Sequence, residues 1–376
     1  MKITARLLSG DACDVKVEHG RFASITPHKT KVLDLPWIAP GLVDIQVNGF
    51  AGVDFNRALE SEEAWHHATG QLYAHGCTGF LIALITNTEE GFRERLRELT
   101  ARIRHEPRNC LGFHMEGPWL NPDPAHRGAH WADWMQKPSV RLLDDWRTIT
   151  DSLIKLITLA PEIDLDASIE VIRAGAPHGI RFFVGHSGAM GETLTRAREA
   201  GAAGWTHLGN AAPAVAPKFE NVLLHALAQP GLLASLIPDG QHVPPHAFRA
   251  LAQALGPRLL LTTDAMAGAA ANGPGTYTLG ETQVTVGVDG CARLPDSGRL
   301  AGSTLTPFEG VFRAEQMSGL YLEDVWRAFS TRPAELLGLS RSLNAGDPAD
   351  FCLISPDKTP DLLATYHRGE CVFEAA

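Results

Sequence analysis

Four side chains that end apolar runs could together do hydrolytic chemistry: Glu116, His186, His207 and Asp264. Glu116 closes Gly112-Phe113-His114-Met115-Glu116, and the two histidines close similar runs further on. One carboxylate and two imidazoles make a borderline-hard N/O ligand set. It suits zinc and also fits iron, cobalt or manganese. Three protein ligands leave a position for water, and a divalent ion lowers that water's pKa and polarises a substrate carbonyl. Asp264 follows the run LLLTT. A carboxylate there is costly unless it is hydrated, paired or used. It reads as a general base that takes a proton from water and returns it to a leaving amine, or equally as a cap for the next segment. Widely spaced groups are weak as a linear motif, and each histidine alone reads as an ordinary hydrogen-bonded residue.

Other polar groups lie near the same strand ends. Gln46 and Asn48 stand two apart in DIQVNG, so on one strand they share a face. They are poor zinc ligands but good hydrogen-bond partners, and Asp44 on that side could orient them. His242 in PDGQHVPP and His130 in the loop after Glu116 could donate to substrate oxygens or be plain loop histidines; His126 competes for the second role. Asn210, Ala211 and Ala212 follow His207, where free backbone N–H groups could hold an anion or hydroxyl. Glu162 ends the run LITLAPE and is a minor candidate.

Positioning these groups requires strands that end at one mouth. Eight candidates run in order: GLVDIQVN, TGFLIAL, CLGFHMEG, IKLITLAP, RFFVGHS, AGWTHLG, LLASLIPDG and RLLLTTDA. Amphipathic patterns such as EEAWHHATGQLYAHG and TEEGFRERLRELTARIR lie between many of them. Alternating strand and helix favours a (β/α)8 TIM-like barrel over residues 40–343. An open doubly wound sheet is less attractive, since neither GxGxxG nor GxxxxGK[ST] occurs. Short runs at 1–39 and 344–376 cannot bury a face alone, and together predict a small β-sandwich domain formed by both termini. Residues 119–150, rich in Pro, His and Trp, read as a lid or substrate wall, or as a surface excursion. Residues 321–339 return to helix, with Pro333 in a first turn.

Composition excludes several classes. Net charge is -10 and no basic tract stands out, so no nucleic-acid partner is expected. No stretch of about 18 apolar residues exists to cross a membrane. The N-terminus lacks a signal-like apolar core, which reads as cytoplasmic. Six scattered cysteines without CxxC read as free, mostly buried thiols.

With these motifs in place, the chain resembles the N-acetylglucosamine-6-phosphate deacetylases of the amidohydrolase superfamily. The resemblance runs through PGLVDIQVNG, GCTGFLIALIT, HMEGP, RGAH, GHS, THLGNA, PDGQHV, TTDA and GST. It implies metal ligation by Glu116, His186 and His207, a catalytic Asp264, a carbonyl-polarising His130 and a substrate-contacting His242. Many amidohydrolases carry HxH on the first strand and bind a second metal. Gln46 and Asn48 stand there instead, so the resemblance implies one divalent ion, zinc. It also implies a small-molecule amino-sugar substrate, direct hydrolysis without a covalent intermediate, and a homodimer.

One departure concerns the phosphate. The family places an arginine downstream of the His207 strand, reaching across the dimer. Here the segment is NAAPAVAPKFENVLLHAL, whose one cation is Lys218. Lys218 is a point charge without a bidentate fork, or a solvated surface lysine. Rival readings are deacetylation of another or unphosphorylated N-acetyl amino sugar, another amidohydrolase, and a sugar-binding barrel without catalysis. A binuclear cyclic amidase is disfavoured because LITLAPE offers no lysine at the fourth strand end.

Overall fold

The computed structural model describes residues 1–28 and 34–375. Residues 29–33, within the predicted N-terminal strand region, lie outside the described residues. All eight expected barrel strands form: Leu42–Val47, Cys77–Ile85, Cys110–Glu116, Ile154–Leu159, Arg181–Val184, Ala202–Trp205, Leu233–Leu236 and Leu259–Leu261. They pair in parallel, each with its sequence neighbour. The first and eighth approach through a parallel bridge between Val47 and Ala265, where Asn48 N donates to Ala265 O at 2.7 Å. Asp44 strengthens this seam rather than orienting Gln46 and Asn48 through their side chains. Its carboxylate accepts from Thr262 Oγ1 and Thr263 Oγ1, both at 2.5 Å. Burial pushes Asp44 up to about 6 against the pull of these threonine bonds.

Helices cover the barrel because their sequences supply one apolar stripe and a cap. Helix Glu89–His105 buries Phe92, Leu96, Leu99 and Ile103, and Thr88 accepts from Gly91 N at its start. Its first turn is acidic and its last basic, which complements the helix dipole. The expected 119–150 excursion is shorter than predicted. Residues 140–150 form helix Val140–Thr150, because Ser139 caps it and Leu142, Leu143 and Trp146 give it a buried face. Trp146 stacks on Trp119 at 5.0 Å, anchoring the start of the remaining loop. Trp146→Ala should destabilise the protein by about 3–5 kcal/mol in denaturant unfolding. A loss under about 1 kcal/mol would mean the neighbours close the gap.

Both termini build one seven-stranded sheet from Lys2–Leu7, Ala12–Glu18, Arg21–Pro27, Trp37–Pro40, Phe351–Ile354, Leu362–His367 and Glu370–Glu374. The sheet curls over itself. Three strands separate Phe22 from Phe351 in the ladder, yet their rings sit 5.7 Å apart. Ala5, Val15, Val17, Phe22, Ile38 and Phe351 fill the fold between the layers.

A three-stranded antiparallel insert, Gly275–Leu279, Thr282–Val286 and Ala292–Arg293, follows the eighth strand and has no counterpart in the sequence reading. Gly280 N donates to the buried Asp54 Oδ2 at 2.8 Å, which fastens the insert to the barrel.

Candidate metal centre

Strand register sets the height of the key side chains. Glu116 pairs with Thr158, and Leu159 with Val184. Val184 pairs in turn with Trp205. His186 and His207 are each two residues past that last pair, so they emerge at one level. Both then adopt left-handed backbone, with φ of 48° and 31°, as does Asp264 at 51°. Such turns cost non-glycine residues roughly 1–2 kcal/mol each. They end the strands abruptly at the mouth, and nothing in local composition announces them.

The imidazoles converge on one oxygen. His186 Nε2 lies 3.2 Å and His207 Nε2 2.8 Å from Glu116 Oε1. Gln46 Nε2 bridges Glu116 Oε1 and Asp264 Oδ1, 3.0 Å from each. Asn48 Nδ2 donates to the same Asp264 Oδ1 at 2.7 Å. His130 Nε2 stands 3.9 Å from Glu116 Oε2. Glu116, His130 and His186 each offer a donor atom within 4.8 Å of the others and could hold a metal ion. His207 touches the same carboxylate more closely, so four side chains compete for a ligand role.

Hydrogen bonds fix two of the rings. His186 Nδ1 meets His126 O at 2.9 Å, which turns Nε2 towards Glu116. His130 Nδ1 accepts from Thr86 N at 3.3 Å, with Thr86 Oγ1 at 2.9 Å. Burial pushes His130 down to about 3, helped by the charge of His186, so the ring is neutral and carries its proton on Nε2. His126 therefore supports His186 through its carbonyl while its own Nδ1 meets Ala211 O at 3.0 Å. Gly128 in RGAH has φ 58°, and a Cβ there would sit 2.9 Å from His186 Cε1.

The two carboxylates are shifted in opposite directions. Burial opposes ionisation of Glu116, but hydrogen bonds and charge from His186 and His207 hold it well below the usual carboxylate range. Burial also disfavours a charged His207, yet Glu116 outweighs this and raises it. Asp264 is pushed up to about 7 by burial and then by the Glu116 charge, against the pull of His207, His242 and Asn48.

These groups open into one cavity of about 340 Å³. Asn48, His130, His242, Asn210 and Ala211 line it beside Glu116, His186, His207 and Asp264. Ile85, Leu279 and Leu300 give it apolar walls. His242 is held by Asp239, whose Oδ2 lies 2.6 Å from Nδ1. Lys218 is not brought in: it lines a neighbouring groove with Val215 and Pro217. Glu162 is a brace, accepting from Asn121 Nδ2, Ser187 Oγ and Gly188 N around the His186 turn.

Known proteins resemble this chain along nearly its whole length. N-acetylglucosamine-6-phosphate deacetylase of Vibrio furnissii is 32% identical over 345 residues, covering 90% of this chain and 84% of its own. The chain belongs to the N-acetylglucosamine-6-phosphate deacetylase family. Within it, the Mus musculus deacetylase is 33% identical over 351 residues, with the same two coverages. An N-acetylgalactosamine-6-phosphate deacetylase of Shewanella is 30% identical over 352 residues, covering 90% of this chain and 84% of its own. The solved N-acetylglucosamine-6-phosphate deacetylase of Thermotoga maritima has TM-score 0.88 and 27% identity over 99% of both chains. A Mycobacterium smegmatis deacetylase variant in complex with N-acetylglucosamine 6-phosphate has TM-score 0.89 and 27% identity, again over 99% of both. No protein-family model matches. Membership makes the chain an enzyme of the amidohydrolase superfamily. Among the described residues no helix is long and apolar enough to cross a membrane.

Sequence reasoning missed two contributors. Thr86 sets the His130 proton, and its only signal is a polar residue ending GCTGFLIALIT. Arg299, on the cavity wall, lies in a segment with no strand pattern around it.

Proposed function

We propose that this chain hydrolyses the N-acetyl amide of N-acetylglucosamine 6-phosphate, giving glucosamine 6-phosphate and acetate, with one zinc ion held by Glu116, His186 and His207. The observation that carries the reading is the meeting of both imidazole Nε2 atoms on Glu116 Oε1, with Asp264 joined to the same carboxylate through Gln46. The donor set fits a divalent ion. It offers one ionised carboxylate and two rings that present Nε2 to it. His130 fits less well as a ligand, because the Thr86 amide proton occupies its Nδ1 lone pair and leaves a proton on Nε2. When bound, the ion supplies Lewis acidity towards water and the amide carbonyl.

The chain's own residues then divide the work. Asp264 takes a proton from the attacking water and gives it to the departing amine. Gln46 and Asn48 both donate to Asp264 Oδ1, which leaves Oδ2 for that proton. The Nε2–H of neutral His130 stabilises the oxyanion formed from the acetyl carbonyl. His242 and the backbone at Asn210 and Ala211 seat the sugar.

A homodimer and a cytoplasmic setting complete the reading. Val215 and Phe219 are 89% and 73% exposed beside Lys218, which suits a face covered by a second copy. All six cysteines are free, five of them buried, as a reducing compartment favours.

The test is acetate release by the purified protein. kcat/KM should be highest for N-acetylglucosamine 6-phosphate, lower for its galacto epimer and lowest for the unphosphorylated sugars, with one equivalent of zinc bound. Absence of acetate from every one of them would end the reading.

A further inference from the structure

An anionic substrate needs a counter-charge, and the floor of this cavity is acidic. Among the residues that line it, Arg299 is the one lysine or arginine. We propose that Arg299 binds the phosphate of the substrate and sets the preference for a phosphorylated sugar, a role for which Lys218 was the candidate in the sequence. The inference rests on the deacetylase reading above.

Three observations support it. First, the charge is available. Arg299 Nη1 donates to Pro124 O at 2.9 Å, which uses one of five guanidinium N–H groups. Arg293 nearby is paired with Asp289, whereas Arg299 has no acidic partner among the described residues. Second, it is aimed. Pro124 is itself part of the cavity wall, so the bond holds the guanidinium against the mouth. Third, it is at a useful distance. Ser303 N donates to Asp264 O at 2.8 Å, which ties this segment to the reactive end. Arg299 is four residues earlier, a span of at most about 14 Å. Both residues line the one cavity, so a hexose bound there can place its acetamide at Asp264 and its exocyclic arm towards the mouth.

Arginine also suits the chemistry better than Lys218 would. Its planar fork matches phosphate oxygens in pairs. Lys218 faces a different groove in the same chain.

The experiment compares kcat/KM for N-acetylglucosamine 6-phosphate and free N-acetylglucosamine in the wild type, Arg299→Ala, Arg299→Lys and Lys218→Ala, with inorganic phosphate as a competitive inhibitor. Arg299→Ala should lose about 10–100-fold on the phosphorylated sugar, mainly in KM, and keep its rate on the free sugar. Arg299→Lys should fall between, phosphate inhibition should weaken in step, and Lys218→Ala should behave as wild type. Equal losses on both sugars, no loss at all, or a selective loss in Lys218→Ala would overturn the inference while leaving the deacetylase reading intact. A wild type without any preference for the phosphorylated sugar would overturn the inference too. A wild type that releases no acetate would overturn the reading and the inference together.

Discussion

Asp264→Asn should lower kcat by about 10²–10⁴-fold while the bound metal stays stoichiometric. The substitution is close to isosteric, and asparagine tolerates the φ of 51° that Asp264 adopts. Gln46 Nε2 and Asn48 Nδ2 can still donate to the amide oxygen, so the pocket should keep its shape. What disappears is a group that can take up a proton. The pH profile gives a second check. Burial and the Glu116 charge push Asp264 up to about 7, so its basic form is lost as pH falls through that value. The wild-type kcat/KM should therefore rise with pH along a limb at or below about 7, since a neighbouring cation favours the carboxylate. Asp264→Asn should lack this limb. Near-normal turnover in the variant, or an unchanged limb, would remove Asp264 as the base.

Glu116→Gln should abolish stoichiometric metal binding and lower kcat by at least about 10³-fold, because a bound ion supplies several kcal/mol of transition-state stabilisation. Glu116 meets both His186 and His207, and their approach is what keeps it ionised despite burial. A neutral amide leaves two imidazoles without the anion that completes the set. Metal content of the purified variants, by elemental analysis, reads this directly. Full occupancy in Glu116→Gln would exclude it as a ligand. A matched pair separates the two sets of donors: His207→Gln should lose the ion and His130→Gln should retain it. The reverse pattern would make His130 the third ligand.

The linear sequence was enough for the barrel. Its eight apolar runs alternate with amphipathic helical stripes, and burial of those stripes admits few other packings. Glu116, His186, His207 and Asp264 were legible for a related reason. A charged or imidazole side chain at the end of an apolar run is conspicuous, since burial there needs a partner. The extent of the loop after Glu116 was harder to read. Its polar character hid the fact that Leu142, Leu143 and Trp146 share one helical face under a Ser139 cap.

Sequence alone determined which side chains stand at the mouth of the barrel and which chemistry they could share. Tertiary structure decided how they share it. The proton on His130 depends on Thr86, 44 residues away, and the orientation of His186 on the carbonyl of His126, 60 residues away. Burial raises both carboxylates, but two imidazoles hold Glu116 low while the Glu116 charge lifts Asp264 further. The cation at the pocket wall is Arg299, which reaches the mouth only because an antiparallel insert returns the chain there. Hydrogen bonds and electrostatic coupling depend on separation in space, and for these groups that separation is created by folding.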